Sequence, residues 1–350
     1  MIAKQLPELP SLPNDAATRL SSLGVDVESS LGDTDYGHAF RGQDQLGYAV
    51  TIKIRECTEE DAEPLLEEIQ TIQNLKLPNI ESIVHAFWSG SHICVVTAYV
   101  AGTALTSVPQ TDAAEDIVPI IQKIATCLKT VHDAGVVHGN LNPAQIKLVN
   151  DQPVITNFGV YSKNKLTMSE AAQAASSDLA YRAPERIVTD SRPLESEKPI
   201  GRWTDVYGLG TVMYFLLTGK PPFSGKGSRL VDKIIYGRPV RPRLFGREIP
   251  RSVDAICMKS LSRRIPRRYA NAEALLQDLK AYEAGEPVSA VGLRRESVAT
   301  AIVIATVTTA ISAVLVAGIA LWASVSPVME FDGITDFQDL SNATSYSNGY

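Results

Sequence analysis

The chain contains the stretch His138-Gly-Asn-Leu-Asn-Pro-Ala-Gln-Ile-Lys-Leu148 and, shortly after it, Ile155-Thr-Asn-Phe-Gly159. Together the two runs carry four side-chain amides, those of Asn140, Asn142, Gln145 and Asn157. An amide is neutral, is no useful base near pH 7 and offers a cation no negative charge. Chemistry that needs a carboxylate therefore has no candidate within these two runs.

The two runs resemble the catalytic core of the protein kinase family, where they read His-Arg-Asp-Leu-Lys-Pro-x-Asn and Asp-Phe-Gly. His138, Leu141 and Pro143 stand where the family has them. The resemblance implies an α+β, bilobal protein-kinase fold with a small β-rich N-lobe and a large helical C-lobe. It also implies that a catalytic Asp, a catalytic Lys and two metal ligands would belong here.

All four functional positions differ from the family pattern. Asn140 stands at the catalytic Asp position and Asn142 at the catalytic Lys position, while Gln145 and Asn157 stand at the metal-ligand positions. Losing a positioned general base alone typically lowers a rate by about 10²- to 10⁴-fold. The leading hypothesis is a pseudokinase with no intact catalytic residue or metal ligand, in which Mg²⁺ binds weakly or not at all.

The alternative hypothesis is a working Ser/Thr kinase that uses an unusual acid. Asp151 and Asp178 lie in the same broad region of the sequence. A replacement base would have to come within about 3 Å of the substrate hydroxyl. The two hypotheses belong to different classes, a non-catalytic signalling or scaffolding module and an enzyme.

The segment that begins at Val25 resembles the Gly-rich hairpin of a kinase N-lobe. Gly32 and Gly37 match the first and third glycines of the family, but Thr34 stands where the middle glycine belongs. A Cβ at that position hinders close approach of backbone to phosphate. The next strand contains Val-Thr-Ile-Lys, so that Lys53 matches the residue that touches the α and β phosphates.

Residues 60–76 are predicted to form an amphipathic helix, and both Glu67 and Glu68 compete as partners of Lys53. Glu68 borders the apolar side of the helix and Glu67 points away, because successive residues are turned by about 100°. We therefore predict Glu68 as the partner; the alternative is that both acids are solvated.

A strongly apolar strand from 93 to 100 matches the strand and hinge behind the adenine. Thr97 would be the gatekeeper and Tyr99 the hinge residue. The resemblance thus implies a cleft that can hold ATP without metal.

Scaffold positions of the family are present. The helix predicted over 112–132 leads to His138, and a second, nearly all-apolar helix is predicted over 206–217. The matched structural residues are His138, Glu185, Asp205 and Arg268. Arg268 matches the arginine that forms a buried ion pair with the glutamate at position 185.

Composition and net charge restrict the class of protein and the partners that can be expected. The chain has 350 residues, of which 45% are hydrophobic and 21% charged, and its net charge of −6 argues against a nucleic-acid partner. Its four cysteines, at positions 57, 94, 127 and 257, form no Cys-x-x-Cys pair. Reduced, mostly buried thiols are predicted, as in a cytosolic domain.

Residues 298–325 form a run without charge that is longer than the roughly 20 residues needed to cross hydrocarbon. Arg294 and Arg295 precede it and four acids follow it, so the positive-inside rule predicts a cytoplasmic kinase-like domain at the cell membrane. This layout resembles that of bacterial receptor-type Ser/Thr kinases, and protein partners are expected.

The predicted organisation has five parts. They are a flexible tail (1–22), a kinase-like domain (23–286, with an N-lobe 23–100 and a C-lobe 101–286), a basic juxtamembrane linker (287–297), a single transmembrane helix (298–325) and a short acidic extracytoplasmic tail (326–350).

Overall fold

The computed structural model describes residues 12–34, 37–108, 114–158, 165–188, 198–245 and 248–292, together with residues 314, 316, 317 and 321. The chain divides into two units, Met1–Gly292 and Leu293–Tyr350.

The strands are β1 (Asp26–Thr34), β2 (Gly37–Gln43), β3 (Ala49–Glu56), β4 (Ile83–Ser89), β5 (His92–Ala98), β6 (Thr103–Ala104), β7 (Ile146–Val149), β8 (Gln152–Ile155), β9 (Leu166–Thr167) and β10 (Ile187–Val188). The α-helices are α1 (Asn14–Ser22), α2 (Glu59–Leu75), α3 (Ala114–Asp133), α4 (Met168–Gln173), α5 (Ser176–Leu179), α6 (Arg202–Thr218), α7 (Gly227–Tyr236), α8 (Arg251–Ser260), α9 (Ala272–Glu283) and α10 (Ser289–Gly292).

The N-lobe is an antiparallel sheet of five strands in the order β1-β2-β3-β5-β4. Strand β3 alternates, so that Val50, Ile52 and Ile54 enter the apolar cluster on one face of the sheet. On the other face, Ile93 and Val95 of β5 pack against helix α2. Because side chains alternate along a strand, Lys53 leaves β3 on the opposite face from its two isoleucine neighbours.

Residues with known capping preferences lie at both ends of helix α2. The hydroxyl of Thr58 accepts a hydrogen bond from the backbone N–H of Asp61 at 3.2 Å, which satisfies one of the free donors of the first turn. Acidic residues fill that turn, where the helix dipole favours negative charge. The helix ends at Leu75, and the next residue, Lys76, adopts a left-handed conformation with φ 47°.

Residues 14–22 belong to the folded N-lobe, so the prediction of a flexible tail up to residue 22 was wrong for this part. They form α1, whose Ala16 and Leu20 are completely buried in the same cluster as Val50 and Ile52. The two apolar residues are four positions apart and therefore lie on one side of the helix. Residues 1–11 of the predicted tail lie outside the described residues.

The C-lobe is built around α3 and α6. A helix is predicted over 112–132, and α3 confirms it; the apolar residues at steps of three and four along one side of α3, from Ile117 to Val131, are buried. Helix α6 is buried from Thr204 to its last residue, Thr218. Gly219 follows with a φ of 69°, a left-handed conformation that glycine adopts without strain. Helices α8 and α9 pack against α6 and close the lobe.

The C-terminal end of the domain extends beyond the predicted boundary at residue 286. Helix α10 packs on α8, and the Asp278 carboxylate accepts hydrogen bonds from the backbone N–H groups of Ser289 and Ala290 at 2.8 and 3.0 Å. Residues 289–292 of the predicted linker are therefore part of the folded domain.

Of the predicted membrane run, residues Val314, Val316, Ala317 and Leu321 are described, and each is helical. None of the helices formed by the described residues has both the length and the apolar character needed to cross a membrane. The rest of 298–325 lies outside those residues, as do residues 326–350.

Candidate functional site

Lys53 ends against a buried glutamate. Its Nζ donates a hydrogen bond to Glu81 Oε2 at 2.5 Å, and the two side chains are only 2% and 7% exposed. Glu81 lies in the segment between α2 and β4, 28 residues along the chain from Lys53. A charged pair at this depth is strongly held, because the surroundings screen it poorly.

Glu81 also binds two further groups of the cleft. Its Oε1 accepts a hydrogen bond from the hydroxyl of Thr97 at 2.8 Å, and its Oε2 accepts one from the backbone N–H of Asn157 at 2.9 Å. One carboxylate therefore joins strand β3, strand β5 and the segment after β8.

Burial lowers the pKa of Lys53 below its usual range, and the charge and hydrogen bond of Glu81 oppose that effect. Removing water disfavours the charged ammonium, and the carboxylate of Glu81 offsets part of that effect. Lys53 and Glu81 thus stabilise each other's charge.

Glu81 is a partner of Lys53 that the sequence does not indicate. The sequence predicts Glu68 as the partner, with Glu67 as the competitor. Helix α2 leaves Glu67 exposed and Glu68 half-buried, as the helical rotation predicts. The carboxylate 2.5 Å from Lys53 Nζ belongs to Glu81, and a pairing of Lys53 with Glu68 as well stays a prediction. A role for Glu68 in binding a nucleotide stays a prediction.

The two metal-ligand positions are bonded to each other. Asn157 Nδ2 donates a short hydrogen bond to Gln145 Oε1, and both side chains are buried. Neither residue brings a negative charge, and the amide oxygen of Gln145 is occupied by its neighbour. The pair does not fit Mg²⁺, which is usually held through carboxylates.

Asn157 keeps an uncommon backbone conformation with φ 68°. Asparagine is one of the few residues with a side chain that adopts the left-handed region readily. The hydrogen bonds from its backbone N–H to Glu81 and from its side chain to Gln145 hold it there. The residue thus has a structural role at a position where the family has a metal ligand.

Asn142 caps a short turn. Its side-chain oxygen accepts a hydrogen bond from the backbone N–H of Ala144 at 2.8 Å, and its Nδ2 donates to the backbone carbonyl of Asn140 at 3.2 Å. These contacts order the 3₁₀ turn Pro143–Gln145. Asn140 is itself buried, and its backbone N–H donates to His138 Nδ1 at 3.2 Å.

His138 and Asp205 form the structural centre of the loop before β7. The carboxylate of Asp205 accepts hydrogen bonds from the backbone N–H groups of His138 and Gly139, at 2.8 and 2.7 Å. His138 Nε2 lies 3.0 Å from the backbone oxygen of Thr156, which ties the loop to the strand that precedes Asn157. Both residues thus have the structural role that was predicted for them.

The pKa values of His138 and Asp205 are both lowered, but for different reasons. Burial lowers the pKa of His138 below its usual value, so its ring is neutral near pH 7. Burial by itself raises the pKa of Asp205, but the contacts with His132, His138 and the Gly139 backbone N–H together outweigh it and the net shift is downward. His132 Nε2 lies 2.8 Å from the Asp205 carboxylate.

The predicted pair of Glu185 and Arg268 is confirmed. Two guanidinium nitrogens of Arg268 donate to the two carboxylate oxygens of Glu185, each at 2.7 Å. The hydroxyl of Thr204 donates to the same carboxylate at 3.0 Å. This pair joins the 3₁₀ turn at 184–186 to the segment that precedes α9.

The predicted Gly-rich segment is a β-hairpin. Strands β1 and β2 stay paired as far as Thr34 and Gly37, and the Thr34 hydroxyl donates to the Gly37 carbonyl at 2.7 Å. Gly37 has φ 121°, and a Cβ there would lie 2.3 Å from the backbone oxygen of Ile54, so only glycine fits. Gly32 stands at a shift in the strand register with φ 93°. Phosphate binding by these two glycines stays a prediction.

At the hinge, Tyr99 contacts protein groups. Its backbone N–H donates to the Ala49 carbonyl at 2.9 Å, and its ring is 41% exposed between the cationic groups of Arg41 and Lys147. Thr97 is buried and its hydroxyl is bound to Glu81. Roles for both in nucleotide binding, as predicted, stay untested.

Comparison with curated proteins finds bacterial relatives. A probable serine/threonine-protein kinase of Clostridium perfringens is 27% identical over 223 residues, which cover 61% of this chain and 31% of that protein. A probable serine/threonine-protein kinase of Streptomyces coelicolor is 31% identical over 172 residues, 48% of this chain and 24% of that protein. The serine/threonine-protein kinase PknB of Mycobacterium leprae is 29% identical over 202 residues, which cover 56% of this chain and 31% of that protein. The chain thus spans about a third or less of the length of these relatives.

Among solved structures, a mutant of the Mycobacterium tuberculosis PknI kinase domain has a TM-score of 0.56 and 17% sequence identity, covering 74% of this chain and 96% of that one. That likeness shows the fold. The family described as the protein kinase domain matches residues 25–278, which include both lobes and every site residue discussed above. This chain therefore belongs to the protein kinase domain family.

Proposed function

We propose that this chain is a pseudokinase, a protein kinase domain that transfers no phosphate and acts as a signalling or scaffolding module. The observation that carries the proposal is the hydrogen bond between Asn157 and Gln145 at the two metal-ligand positions. These positions are filled by neutral amides that satisfy each other. A divalent cation would have to break that bond and would gain no charged ligand in return.

The other altered positions support the same conclusion. Asn142 caps a turn, where the family has a catalytic lysine, and the neutral side chain of Asn140 stands where the family has a catalytic carboxylate. Lys53 is engaged by Glu81. The scaffold pair of Glu185 and Arg268 is complete. The fold has kept its structural contacts while the catalytic groups have been replaced.

A phosphotransfer assay tests the proposal directly. The full chain in detergent micelles would be incubated with radiolabelled ATP, a general protein substrate and either Mg²⁺ or Mn²⁺. No transfer above that of a Lys53→Met variant is expected, whereas transfer that disappears in this variant would refute the proposal. An active bacterial kinase assayed in parallel establishes the sensitivity.

An active kinase with a non-standard acid is the second candidate, and one observation favours it. Asp178 lines a cavity of about 590 Å³ together with Asn142 and Gln145. Its carboxylate, however, already accepts a hydrogen bond from the guanidinium of Arg182 at 2.7 Å. If the assay does show transfer, an Asp178→Asn variant should abolish it. Asp151 is a weaker candidate because it lies exposed in the turn between β7 and β8.

We further propose that the chain is a single-pass membrane protein with its kinase domain in the cytoplasm and with protein partners there. Support comes from the uncharged run 298–325 and from the side chains of Val314, Val316 and Leu321, which are helical and 72%, 67% and 70% exposed. Exposed apolar side chains on a helix suit contact with lipid. Expression with and without residues 293–350, followed by membrane fractionation, tests this. Loss of membrane association in the shortened chain is expected, and no difference would contradict it.

A further inference from the structure

We propose that copies of this chain associate head to tail, with an arginine-rich surface of one C-lobe seated in an acidic groove beside helix α2 of the next copy. The inference rests on two surfaces of opposite charge, each of which also presents apolar side chains. It goes beyond the proposed function and does not depend on whether the chain transfers phosphate.

The first surface is a groove between helix α2 and strand β4, with a volume of about 650 Å³. Its apolar lining is buried or half-buried and consists of Ala62, Leu66 and Trp88. Its acidic lining is exposed and consists of Glu59, Glu63 and Glu67. These three acids follow one another at steps of four and therefore lie on one side of α2. We call this feature the acidic groove.

The acidic groove has no counter-ion of its own. The carboxylates of Glu59, Glu63 and Glu67 make no hydrogen bond or ion pair with any described residue. Residues 56–68 contain seven acids and no lysine or arginine. Like charges four residues apart on a helix repel each other, and the apolar lining of an open groove stays in contact with water. A cationic partner that also brings an apolar side chain would relieve both costs.

The second surface lies at the end of helix α7 and in the segment between α8 and α9. A cavity of about 230 Å³ there is lined by Arg238, Arg263, Arg264 and Arg267. Arg263 donates a hydrogen bond to the backbone carbonyl of Tyr236. The other three side chains are exposed, and their guanidinium groups make no hydrogen bond or ion pair within the described part of the chain. Three cationic groups are therefore available to a partner.

Apolar side chains lie beside these arginines. Tyr236, Arg238 and Val240 are exposed while Pro239 is buried, which fits an extended segment in which residues two apart point to the same side. Tyr236 is 41% exposed and Val240 54%. Arginine and aromatic residues are enriched at protein–protein interfaces, which favours a protein partner over a small anion. We call this set the arginine surface; its members are Tyr236, Arg238, Val240, Arg264 and Arg267.

The two surfaces complement each other. A guanidinium group matches a carboxylate with two parallel hydrogen bonds, and three groups of each kind are present. The apolar side chains of Tyr236 and Val240 would meet those of Leu66 and Trp88 in the next copy. Because each copy carries both surfaces, a second copy supplies the counterpart without any other protein.

The proposed contact joins two different surfaces and is therefore heterologous. The acidic groove belongs to the N-lobe and the arginine surface to the C-lobe. Each pair of copies leaves one surface of each kind unoccupied, so that further copies can add in a ring or a row. We expect complexes larger than a dimer at high protein concentration.

Sedimentation velocity of the full chain in detergent micelles, over a range of protein concentrations, tests the association. We expect it to increase with concentration and to weaken at high salt, because salt screens exposed charges. A wild type that sediments as a monomer at every concentration would overturn the proposal.

Charge reversal of either surface should weaken the association at least about tenfold, because like charges then face each other. One variant carries Arg264→Glu and Arg267→Glu, and the other carries Glu63→Lys and Glu67→Lys. All four side chains are exposed and make no side-chain hydrogen bond or ion pair with the described residues, so both variants should fold. Circular dichroism checks this.

A variant with all four changes reverses both surfaces and has the net charge of the wild type. It should associate again, to within about threefold of the wild-type affinity, because opposite charges face each other once more. The matched control joins the two arginine changes to Glu115→Lys and Glu286→Lys, two exposed positions on neither surface. It has the same net charge but should stay dissociated, since its groove remains acidic.

Three results would overturn the inference. Association that survives both charge reversals would place the contact elsewhere in the chain. A folded fourfold variant that stays dissociated would show that the two surfaces do not meet. A control that associates as tightly as the fourfold variant would show that net charge alone governs the association. The proposed function is decided separately, by phosphotransfer.

Discussion

The guanidinium of Arg268 and the carboxylate of Glu185 meet in a double hydrogen bond, with both N to O distances at 2.7 Å and both side chains almost fully buried. The same guanidinium donates to the backbone carbonyls of Trp203 and Ser262, at 3.0 and 2.6 Å. Arg268 also lies over the ring of Tyr207, 4.9 Å from its centroid. One side chain thus joins the turn at 184–186 to the central helix α6.

Replacing Arg268 with methionine should therefore destabilise the domain strongly. The change leaves the Glu185 carboxylate buried without its counter-ion, which typically costs about 3–5 kcal/mol. Urea denaturation followed by circular dichroism measures the loss. Arg267→Met, which alters an exposed neighbour, should cost less than about 0.5 kcal/mol. Equal losses in the two variants would contradict the assigned role of the pair.

Restoring the family's metal ligands should create a magnesium response. In a triple variant, Asn140→Asp, Gln145→Asn and Asn157→Asp, two carboxylates replace the neutral groups at the cleft, and carboxylate oxygens are what Mg²⁺ binds. We expect ATP with Mg²⁺ to raise the melting temperature of this variant more than ATP alone. The wild type should show no such difference.

The control for the triple variant is Asn74→Asp, which adds a carboxylate to an exposed position of α2. A magnesium-dependent shift in this control would mean that the response is non-specific. A shift of similar size in the wild type would show that Asn157 and Gln145 do hold the metal, against the interpretation of their hydrogen bond.

The contacts that could be predicted are those fixed by short motifs on regular elements. Lys53 follows from a strand with alternating burial, and the Glu185 and Arg268 pair follows from two matched motifs 83 residues apart. His138 and Asp205 were likewise predicted as structural residues. In each case the resemblance to the family predicts which distant residues pair, and the periodicity of a single helix or strand could not predict this.

The contact of Glu81 with Lys53 could not be predicted, because Glu81 lies in the segment between α2 and β4. Outside a helix or strand, no repeating pattern of apolar residues indicates which way a side chain points. A weak signal was present: it is a single acid between Ile80 and Ile83, where an apolar run continues towards β4. Helix α1 was missed for a similar reason. Only Ala16 and Leu20 reach the core, and the surrounding prolines and polar residues resemble a tail.

The stability of the domain should fall with acid partly through His138. Burial lowers its pKa in the folded state below 6.5, so between that lowered value and 6.5 the unfolded chain binds a proton that the folded chain does not. By linkage the free energy of unfolding then decreases as the pH falls through this window. In His138→Gln, where an amide can still donate to the Thr156 carbonyl, the decrease should be shallower by up to about 1.4 kcal/mol per pH unit.

Urea denaturation at several pH values between 5 and 7.5 measures this slope. An NMR titration of the histidine rings provides an independent check, since the His138 ring should remain neutral below pH 6.5. A His138 ring that becomes protonated above this pH would contradict the predicted direction.

The four cysteines are free and buried, which confirms the prediction of reduced, buried thiols and leads to a final test. Burial raises the pKa of Cys94 and of Cys127 to about 12. At pH 8 only about one such thiol in 10⁴ is ionised, and the thiolate is the form that attacks an alkylating or disulfide reagent.

The native protein should therefore react with Ellman's reagent only as fast as it unfolds locally to expose a thiol, while the protein in urea should react at all four thiols at once. A Ser224→Cys variant, with its new thiol on an exposed segment, should add one rapidly reacting equivalent to the native protein. Burial also raises the pKa of Cys257. Rapid reaction of two or more thiols in the native wild type would show that at least one of Cys94, Cys127 and Cys257 is reachable from solvent. The packing of β5, α3 and α8, which carry these three residues, would then be wrong.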